Sequence, residues 1–317
     1  MKKILITRKL IKSSEDYASK IFDVKFNKED KIITKDDLIK NSSDCDGVLS
    51  SLTEKIDAEV ISKLSNSIKI ISNFAVGFGN IDIIAAKKRN IIVTNTPDVL
   101  TDATAEITML ILLGAARRAK EGIEWSKKKN WKWSADFLMG KQLTGARLGI
   151  LGMGRIGRAV ADRAKSFGMI IHYHNRSQLD KNLEKGAIYH NSLESLLSVS
   201  DFFSINCPAT KETKHIINKD SLKHFPDGAI VSNSARGDMI DDDSMVEALK
   251  SRKIFSLGLD VYNGEPNIHP EYLTLPNVFV LPHLGSSTIK TRTDMGNLAV
   301  SNLEEFFKTG KCKNIVN

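Results

Sequence analysis

Arg147-Leu148-Gly149-Ile150-Leu151-Gly152-Met153-Gly154-Arg155-Ile156-Gly157 reads as a strand, a glycine turn and the start of a helix. The spacing Gly152, Gly154, Gly157 is the G-x-G-x-x-G fingerprint of a dinucleotide site. The first glycine permits a tight turn, the second lets backbone N–H groups approach a pyrophosphate, and the third lets helix and strand pack closely. The anion rests on a helix N-terminus, where unpaired N–H groups and the helix dipole favour negative charge. The stretch lies halfway along a chain of 317 residues, so another structure must fill the first half.

Working outward, that length suggests about two domains. With 41% hydrophobic and 26% charged residues, the composition is that of a globular protein able to bury a core without staples. The formal charge of +8 fits a solvated, lysine-rich surface, or attraction of an anionic cofactor and substrate. Nucleic-acid binding would need a clustered basic stripe, and the lysines are scattered apart from Lys127-Lys128-Lys129. Cys45, Cys207 and Cys312 form no C-x-x-C pair, so neither a metal site nor a disulfide framework is expected, and a reducing cytoplasm fits. The apolar run after Met1-Lys2-Lys3 is too short for a signal peptide, and no stretch reaches the length of a membrane span.

Short apolar runs predict strands at 4–7, 24–26, 47–50, 68–72 and 91–93, with helical patterns at 57–64 and 82–88. A helix over about 101–120 is apolar nearly all round, which predicts burial between domains or subunits. Residues 125–140, with Trp125, Trp131 and Trp133, read as irregular. A second series follows, with strands at 148–151, 170–174, 202–206, 229–232, 257–261 and 278–281. Helices are expected at about 156–167 and 241–251, and a last one at about 287–308. This alternation predicts an α/β fold with parallel sheets.

In open parallel sheets, ligands bind outside the carboxyl ends of the strands. Used as a filter on the second series, that rule selects the three glycines, then Asn175-Arg176-Ser177, Cys207-Pro208, and Asn233-Ser234-Ala235-Arg236. It also selects Asp260 with Asn263-Gly264-Glu265, and finally His283. An arginine, a carboxylate and a histidine thus meet on one sheet edge beside the expected nucleotide. A planar guanidinium holds a carboxylate by two hydrogen bonds, so Arg236 is the candidate for the acid group of a 2-oxo acid. The ketone oxygen gains charge as hydride arrives at C2, and His283, with an unperturbed pKa of about 6.5, suits proton delivery there. Glu265 is the candidate partner that orients the imidazole; a turn residue at the Gly264-Glu265-Pro266 bend is its bland alternative.

These residues carry a resemblance. The chain is similar along nearly its whole length to the D-isomer-specific 2-hydroxyacid dehydrogenases, and most like their glyoxylate/hydroxypyruvate reductase branch. The matching segments are Val76-Gly77-Phe78-Gly79-Asn80-Ile81-Asp82, Asn95-Thr96-Pro97, residues 152–157, 233–238 and 258–266, and Pro282 to Ser287. The resemblance implies two flavodoxin- or Rossmann-like domains with the cleft between them. The dinucleotide domain (100–284) would be inserted into the substrate domain (1–99 with 285–317). It implies Arg236, Glu265 and His283 as the catalytic set, and backbone N–H groups of Val76 and Gly77 on the substrate carboxylate. Ser286 joins the substrate contacts, as does Trp133 reaching a neighbouring subunit of a homodimer; packing at the dimer interface is the alternative for Trp133. The implied cofactor contacts are Thr104, Gly152, Gly154, Arg155, Ile156, Gly157, Asn175, Arg176, Ser177, Cys207, Pro208, Ser234, Ala235, Asp260 and Gly285.

One departure bears on the cofactor. An NAD enzyme of this type carries an acid after the second strand for the ribose 2′-OH. Here that position holds Asn175, followed by Arg176 and Ser177, with no carboxylate before Asp180. Asn, Arg and Ser can hold a 2′-phosphate that an acid would repel. NADP(H) is therefore expected in preference to NAD(H), with stacking of Arg176 on adenine and dual use as the alternative. The expected activity is reduction of glyoxylate or hydroxypyruvate. The alternatives are a 3-phosphoglycerate or D-lactate type of dehydrogenase, and a non-catalytic dinucleotide sensor of the corepressor kind. No nucleic acid or membrane partner is expected.

Overall fold

The chain changes unit twice. In the computed structural model, which describes residues 1–128 and 133–317, Met1–Leu100 joins Ser286–Asn317 in one unit and Thr101–Gly285 forms the other.

The first unit alternates β1 (Lys3–Ile6), α1 (Lys12–Ile21), β2 (Asp23–Phe26), α2 (Lys35–Asn41), β3 (Gly47–Ser51), α3 (Ala58–Lys63), β4 (Ile70–Phe74), α4 (Ile83–Lys88) and β5 (Ile92–Thr94). Its sheet is wholly parallel in the order β2-β1-β3-β4-β5, the flavodoxin-like arrangement. β3 and β4 are buried throughout, apolar where they begin and carrying Ser50-Ser51 and Ser72-Asn73 toward their carboxyl ends. Thr34, Asp57 and Asp82 each cap a helix by accepting an N–H from its first turn, so the turns before α2, α3 and α4 are set locally.

The second unit contains α5 (Thr101–Ala116), α6 (Ala119–Ser126), β6 (Arg147–Leu151), α7 (Arg155–Ser166), β7 (Ile170–His174), α8 (Lys181–Glu184), β8 (Ile188–His190), α9 (Leu193–Val199) and β9 (Phe202–Ile205). It continues with α10 (Lys219–Lys223), β10 (Ala229–Asn233), α11 (Asp242–Lys250), β11 (Ile254–Leu259), α12 (Pro270–Thr274) and β12 (Val278–Val280). Its seven strands are parallel in the order β12-β11-β10-β9-β6-β7-β8. The order reverses between β6 and β9, and ligands of such sheets bind at that switch point. Two parallel α/β sheets are the fold class that the sequence predicts.

The long apolar helix differs from expectation in extent. It ends at Ala116, where Arg118 adopts a left-handed φ of 53° and starts α6, so Trp125 is helical. Most of its apolar residues are buried on the second unit's own sheet and against α7, while Leu110 is 47% exposed. A Cβ at Gly258 of β11 would collide with the Ile111 carbonyl, so helix and strand are in direct backbone contact. Trp131 lies outside the described residues. β8 is an addition that the sequence pattern does not show. It is held at the sheet edge by His190, whose Nε2 lies 2.9 Å from His172 Nδ1 and whose Nδ1 lies 2.7 Å from Ser195 Oγ.

The last helix, α13 (Ile289–Thr309), returns to the first unit, capped by Thr288 at its start and by Gly310 in the left-handed region at its end. Ser72 Oγ of β4 donates to the Ala299 carbonyl, and a Cβ at Gly296 would stand 3.8 Å from the Phe74 ring. α13 therefore runs antiparallel to β4, with its first turn over the carboxyl edge of that sheet. No helix among the described residues is long and apolar enough to cross a membrane.

Candidate active site

The carboxyl edge of the second sheet can be read strand by strand. Gly152, leaving β6, has φ +94°, and a Cβ there would stand 2.5 Å from the Cys207 nitrogen at the exit of β9. The turn therefore straddles the switch point. Gly157 of α7 meets the Gly152 carbonyl, so no side chain fits there. At Gly154, the N-cap of α7, a Cβ would meet nothing within 4 Å. The middle glycine thus fronts open space on a helix N-terminus that no side chain caps, with the first-turn N–H groups of Arg155, Ile156 and Gly157 at its mouth. This cradle fits a pyrophosphate.

Toward β7, Asn175 Oδ1 accepts the Met153 N–H at 2.7 Å and so pins the glycine turn from outside. Arg176 and Ser177 are exposed beyond it. Glu212, on the loop after β9, is held below the usual carboxylate range first by Thr210 and in part by the charge of Arg176. No acid stands at the end of β7. Burial pushes the Cys207 thiol up to about 11, so it packs as a neutral group beside Gly152, with Pro208 exposed after it.

Toward β10, Asn233 is fully buried, and its amide clamps the following turn at both ends. Oδ1 accepts the Ala235 N–H at 2.9 Å and Nδ2 donates to the Arg236 carbonyl at 2.7 Å. Ser234 bonds Thr108 of α5. The Arg236 guanidinium donates to the Ala235 carbonyl at 2.6 Å. Burial lowers its pKa from the ordinary arginine value, against the opposing charges of Glu265 and Asp238. The rest of its donor fork has no bond among the described residues.

From β11, Asp260 is 1% exposed and its Oδ1 and Oδ2 accept the Leu284 and Gly285 N–H groups at 2.6 and 2.8 Å. Its own carbonyl accepts the His283 N–H. These three bonds hold His283 at a left-handed φ of 56°, a conformation costly for a non-glycine residue. Thr104 adds a bond to the Gly285 carbonyl. Asp260 and Thr104 therefore serve the histidine loop from below. Burial raises the Asp260 carboxyl despite the two N–H donors.

His283 Nδ1 lies 2.7 Å from Glu265 Oε2. Burial works to raise the Glu265 carboxyl, but the bond and charge of His283, the Tyr262 N–H and Arg236 outweigh it and hold the carboxyl low. Glu265 is thus an anion beside a guanidinium and an imidazole, and it fills both readings: Oε1 caps the turn by accepting the Tyr262 N–H at 3.1 Å while Oε2 pairs with His283. The Arg236 and Glu265 loops meet at Gly237, where a Cβ would collide with the Tyr262–Asn263 peptide. Gly237→Ala is expected to push these loops apart, costing about 1–3 kcal/mol of stability as overpacking does and weakening acid binding. Thermal unfolding and the KM for the keto acid would check this, and a variant unchanged in both would contradict it.

Sequence reasoning brought out Arg236, Glu265 and His283 but missed Asn233, whose signal was a strand-end Asn before Ser-Ala-Arg-Gly, an Asx-turn pattern. In the first unit, Asn95 Nδ2 donates to the Val76 carbonyl and Asn73 Nδ2 to the Gly77 carbonyl. The N–H groups of Val76 and Gly77 have no partner among the described residues. Ser286 is half-buried, and Trp133 is 80% exposed.

The chain is similar in sequence and fold to known proteins. Residues 109–285 match the family described as D-isomer specific 2-hydroxyacid dehydrogenase, NAD binding domain. A glycerate dehydrogenase of Hyphomicrobium methylovorum is 43% identical over 309 residues, 96% of each chain. The structure of a putative D-isomer specific 2-hydroxyacid dehydrogenase from Polaromonas sp. JS6 66 matches with a TM-score of 0.95 at 42% identity, covering 100% of both chains. An NADPH-dependent glyoxylate/hydroxypyruvate reductase from Sinorhizobium meliloti, solved with NADP and malonate, matches with a TM-score of 0.87 at 31% identity over 99% of this chain and 96% of that one. A family model that covers more than half of the chain, and a relative 43% identical over 96% of both chains, settle the family: this chain belongs to the D-isomer specific 2-hydroxyacid dehydrogenases.

Proposed function

We propose that the protein reduces a small 2-oxo acid, glyoxylate or hydroxypyruvate, to the D-2-hydroxy acid. The observation that carries this reading is the paired His283 and Glu265 beside the part-free guanidinium of Arg236, on the sheet edge that also carries the glycine turn. The likeness to a glycerate dehydrogenase and to a glyoxylate/hydroxypyruvate reductase supports the substrate class.

The bound nicotinamide supplies the hydride that reduces C2. Arg236 holds the substrate carboxylate through two N–H groups of its fork, and Val76 and Gly77 offer backbone N–H groups to the same acid. His283 Nε2, the ring nitrogen away from Glu265, gives its proton to the ketone oxygen as negative charge develops there. Glu265 fixes the ring and stabilises its protonated form. Ser286 completes the substrate contacts. The exposed indole of Trp133 is left for a second copy in a homodimer to cover.

Arg176 and Ser177, with Asn175 behind them, give a 2′-phosphate a cation and a hydroxyl donor, so NADP(H) is the preferred cofactor. Arg155, Ile156 and Gly157 hold the pyrophosphate. Cys207, Pro208, Ser234, Ala235 and Gly285 line the remaining edge. The test is oxidation of NADPH and of NADH with a panel of glyoxylate, hydroxypyruvate, pyruvate and phosphohydroxypyruvate. We expect turnover with the first two and a lower KM for NADPH. Arg176→Ala should then raise the KM for NADPH by about tenfold or more, the scale of one charge-assisted contact, and leave that for NADH nearly unchanged. Absence of turnover with every acid would refute the function, and equal effects on the two cofactors would refute the phosphate site.

A further inference from the structure

Two adjacent residues aim the unused N–H donors of the first unit. Asn95 and Thr96 follow β5, Asn95 being 8% exposed and Thr96 fully buried. The Thr96 N–H donates to the Ala75 carbonyl at 2.9 Å, and Asn95 Nδ2 donates to the Val76 carbonyl at 2.8 Å. A trans peptide points its N–H opposite to its C=O. Holding the Ala75 carbonyl therefore directs the Val76 N–H, and holding the Val76 carbonyl directs the Gly77 N–H. These are the two N–H groups left without a partner among the described residues.

Asn95 is itself held from both sides. Asn302 of α13 is 2% exposed, and its Nδ2 donates to the Asn95 carbonyl at 3.0 Å. Asn314, at a left-handed φ of 63°, accepts the Asn95 N–H on its carbonyl at 3.2 Å, and its Nδ2 donates to Asn302 Oδ1 at 3.0 Å. Residues 314–317 follow the free edge of β5, where Ile315 pairs antiparallel with Thr94 and the Val316 N–H donates to the Val93 carbonyl. The Asn317 side chain accepts the Val93 N–H and donates to the Ile91 carbonyl.

The bonds run in series. The Asn314 amide donates to the Asn302 amide, which donates to the Asn95–Thr96 peptide, which donates to the Ala75–Val76 peptide, whose N–H is left over. Each link enters a group at its C=O and leaves at its N–H, so the dipoles line up and each bond strengthens the next. An asparagine that only tied residues 314–317 to β5 could bond any carbonyl along that edge. Asn302 bonds the one whose own peptide supports Val76.

We propose that Asn302 and Asn314 are positioning residues. Through the Asn95–Thr96 peptide they set the direction and donor strength of the Val76 N–H, and by fixing Asn95 they set those of the Gly77 N–H. Neither touches the acid. This rests on the reading above that gives the two N–H groups an acid to hold.

The test titrates isotope-labelled, NADPH-saturated protein with oxalate, a planar 2-oxo acid analogue, reading the Val76 and Gly77 amide NMR signals and, by calorimetry, the oxalate Kd. Asn302→Leu keeps the volume and removes the amide. Asn314→Gly keeps the positive φ and the backbone bond to Asn95, and removes only the side-chain link. Both wild-type signals should move with oxalate. Asn302→Leu is expected to displace the Val76 signal before oxalate is added and to raise the oxalate Kd by about 3- to 10-fold, the scale of one neutral hydrogen bond. Asn314→Gly should raise it about twofold, and should add nothing further in the double variant, since that side chain acts through Asn302. The NADPH Kd should stay at the wild-type value throughout.

A lower melting temperature with an unchanged oxalate Kd and Val76 signal would reduce both residues to a structural role and overturn the proposal. Additive effects in the double variant, or an equal rise in the NADPH Kd, would also overturn it. Asn314→Gly carries the test alone if Asn302→Leu does not fold, and an unchanged oxalate Kd there is decisive against the idea. If neither wild-type signal answers to oxalate, the acid reading of this edge fails and the proposal with it; if both answer and the variants bind oxalate normally, the positioning role alone fails. Binding is read without turnover, so a protein that behaves as expected but reduces no acid on the panel refutes the function and leaves the positioning role standing.

Discussion

His283→Gln is expected to lower kcat by about 10²- to 10⁴-fold, the range for loss of a general acid. Glutamine keeps an amide that can bond Glu265 but has no proton to give at the ketone oxygen. The loop should survive, because its geometry is set by backbone bonds to Asp260 and not by the imidazole. The loss should therefore fall on kcat, with cofactor KM nearly unchanged. Steady-state NADPH oxidation with glyoxylate or hydroxypyruvate measures it, and single-turnover kinetics show whether the chemical step slowed. A variant that retains a substantial fraction of kcat would move proton delivery to another group.

Arg236→Ala is expected to act chiefly on KM for the keto acid. Two hydrogen bonds to a charged group are worth about 1.5–3 kcal/mol each, so kcat/KM should fall by roughly 10²- to 10⁴-fold. Part of the effect passes through Glu265, because Arg236 is one of the groups that hold its carboxyl low. Arg236→Lys is the informative companion. A lysine keeps the charge beside Glu265 but cannot form the planar fork. If charge alone matters, lysine restores most of the binding; if the fork matters, it restores little. An unchanged KM in the alanine variant would remove Arg236 from the carboxylate.

Much of this arrangement is legible in the residues because parallel strands buried on both faces leave apolar runs with chemistry at their ends. The runs around Ile150, Phe203 and Val231 needed no structure to find, and Arg236 and His283 follow from asking what comes next along the chain. β8 escaped because three half-exposed residues at a sheet edge carry no pattern, and their support comes from His172 and Ser195. The break after Ala116 escaped because the apolar pattern of α5 fades into arginines that a helix tolerates well. The side chains that aim the reactive groups, Asn233 and Asp260, were hardest to interpret. An Asn or Asp at a strand end is common, and only the paired backbone bonds distinguish a clamp from a ligand contact.

The return of α13 to the first unit sets an order on how the protein can be made. The second unit is one continuous stretch and has all of its residues once Gly285 has left the ribosome. The first unit begins earlier and finishes later, since the faces of β3 and β4 beneath Ala299, Leu303 and Phe307 stay bare until residue 309 is synthesised. A nascent chain stalled near residue 285 would thus present an open apolar sheet face joined to a folded neighbour, the kind of surface that chaperones bind and that aggregates when they do not.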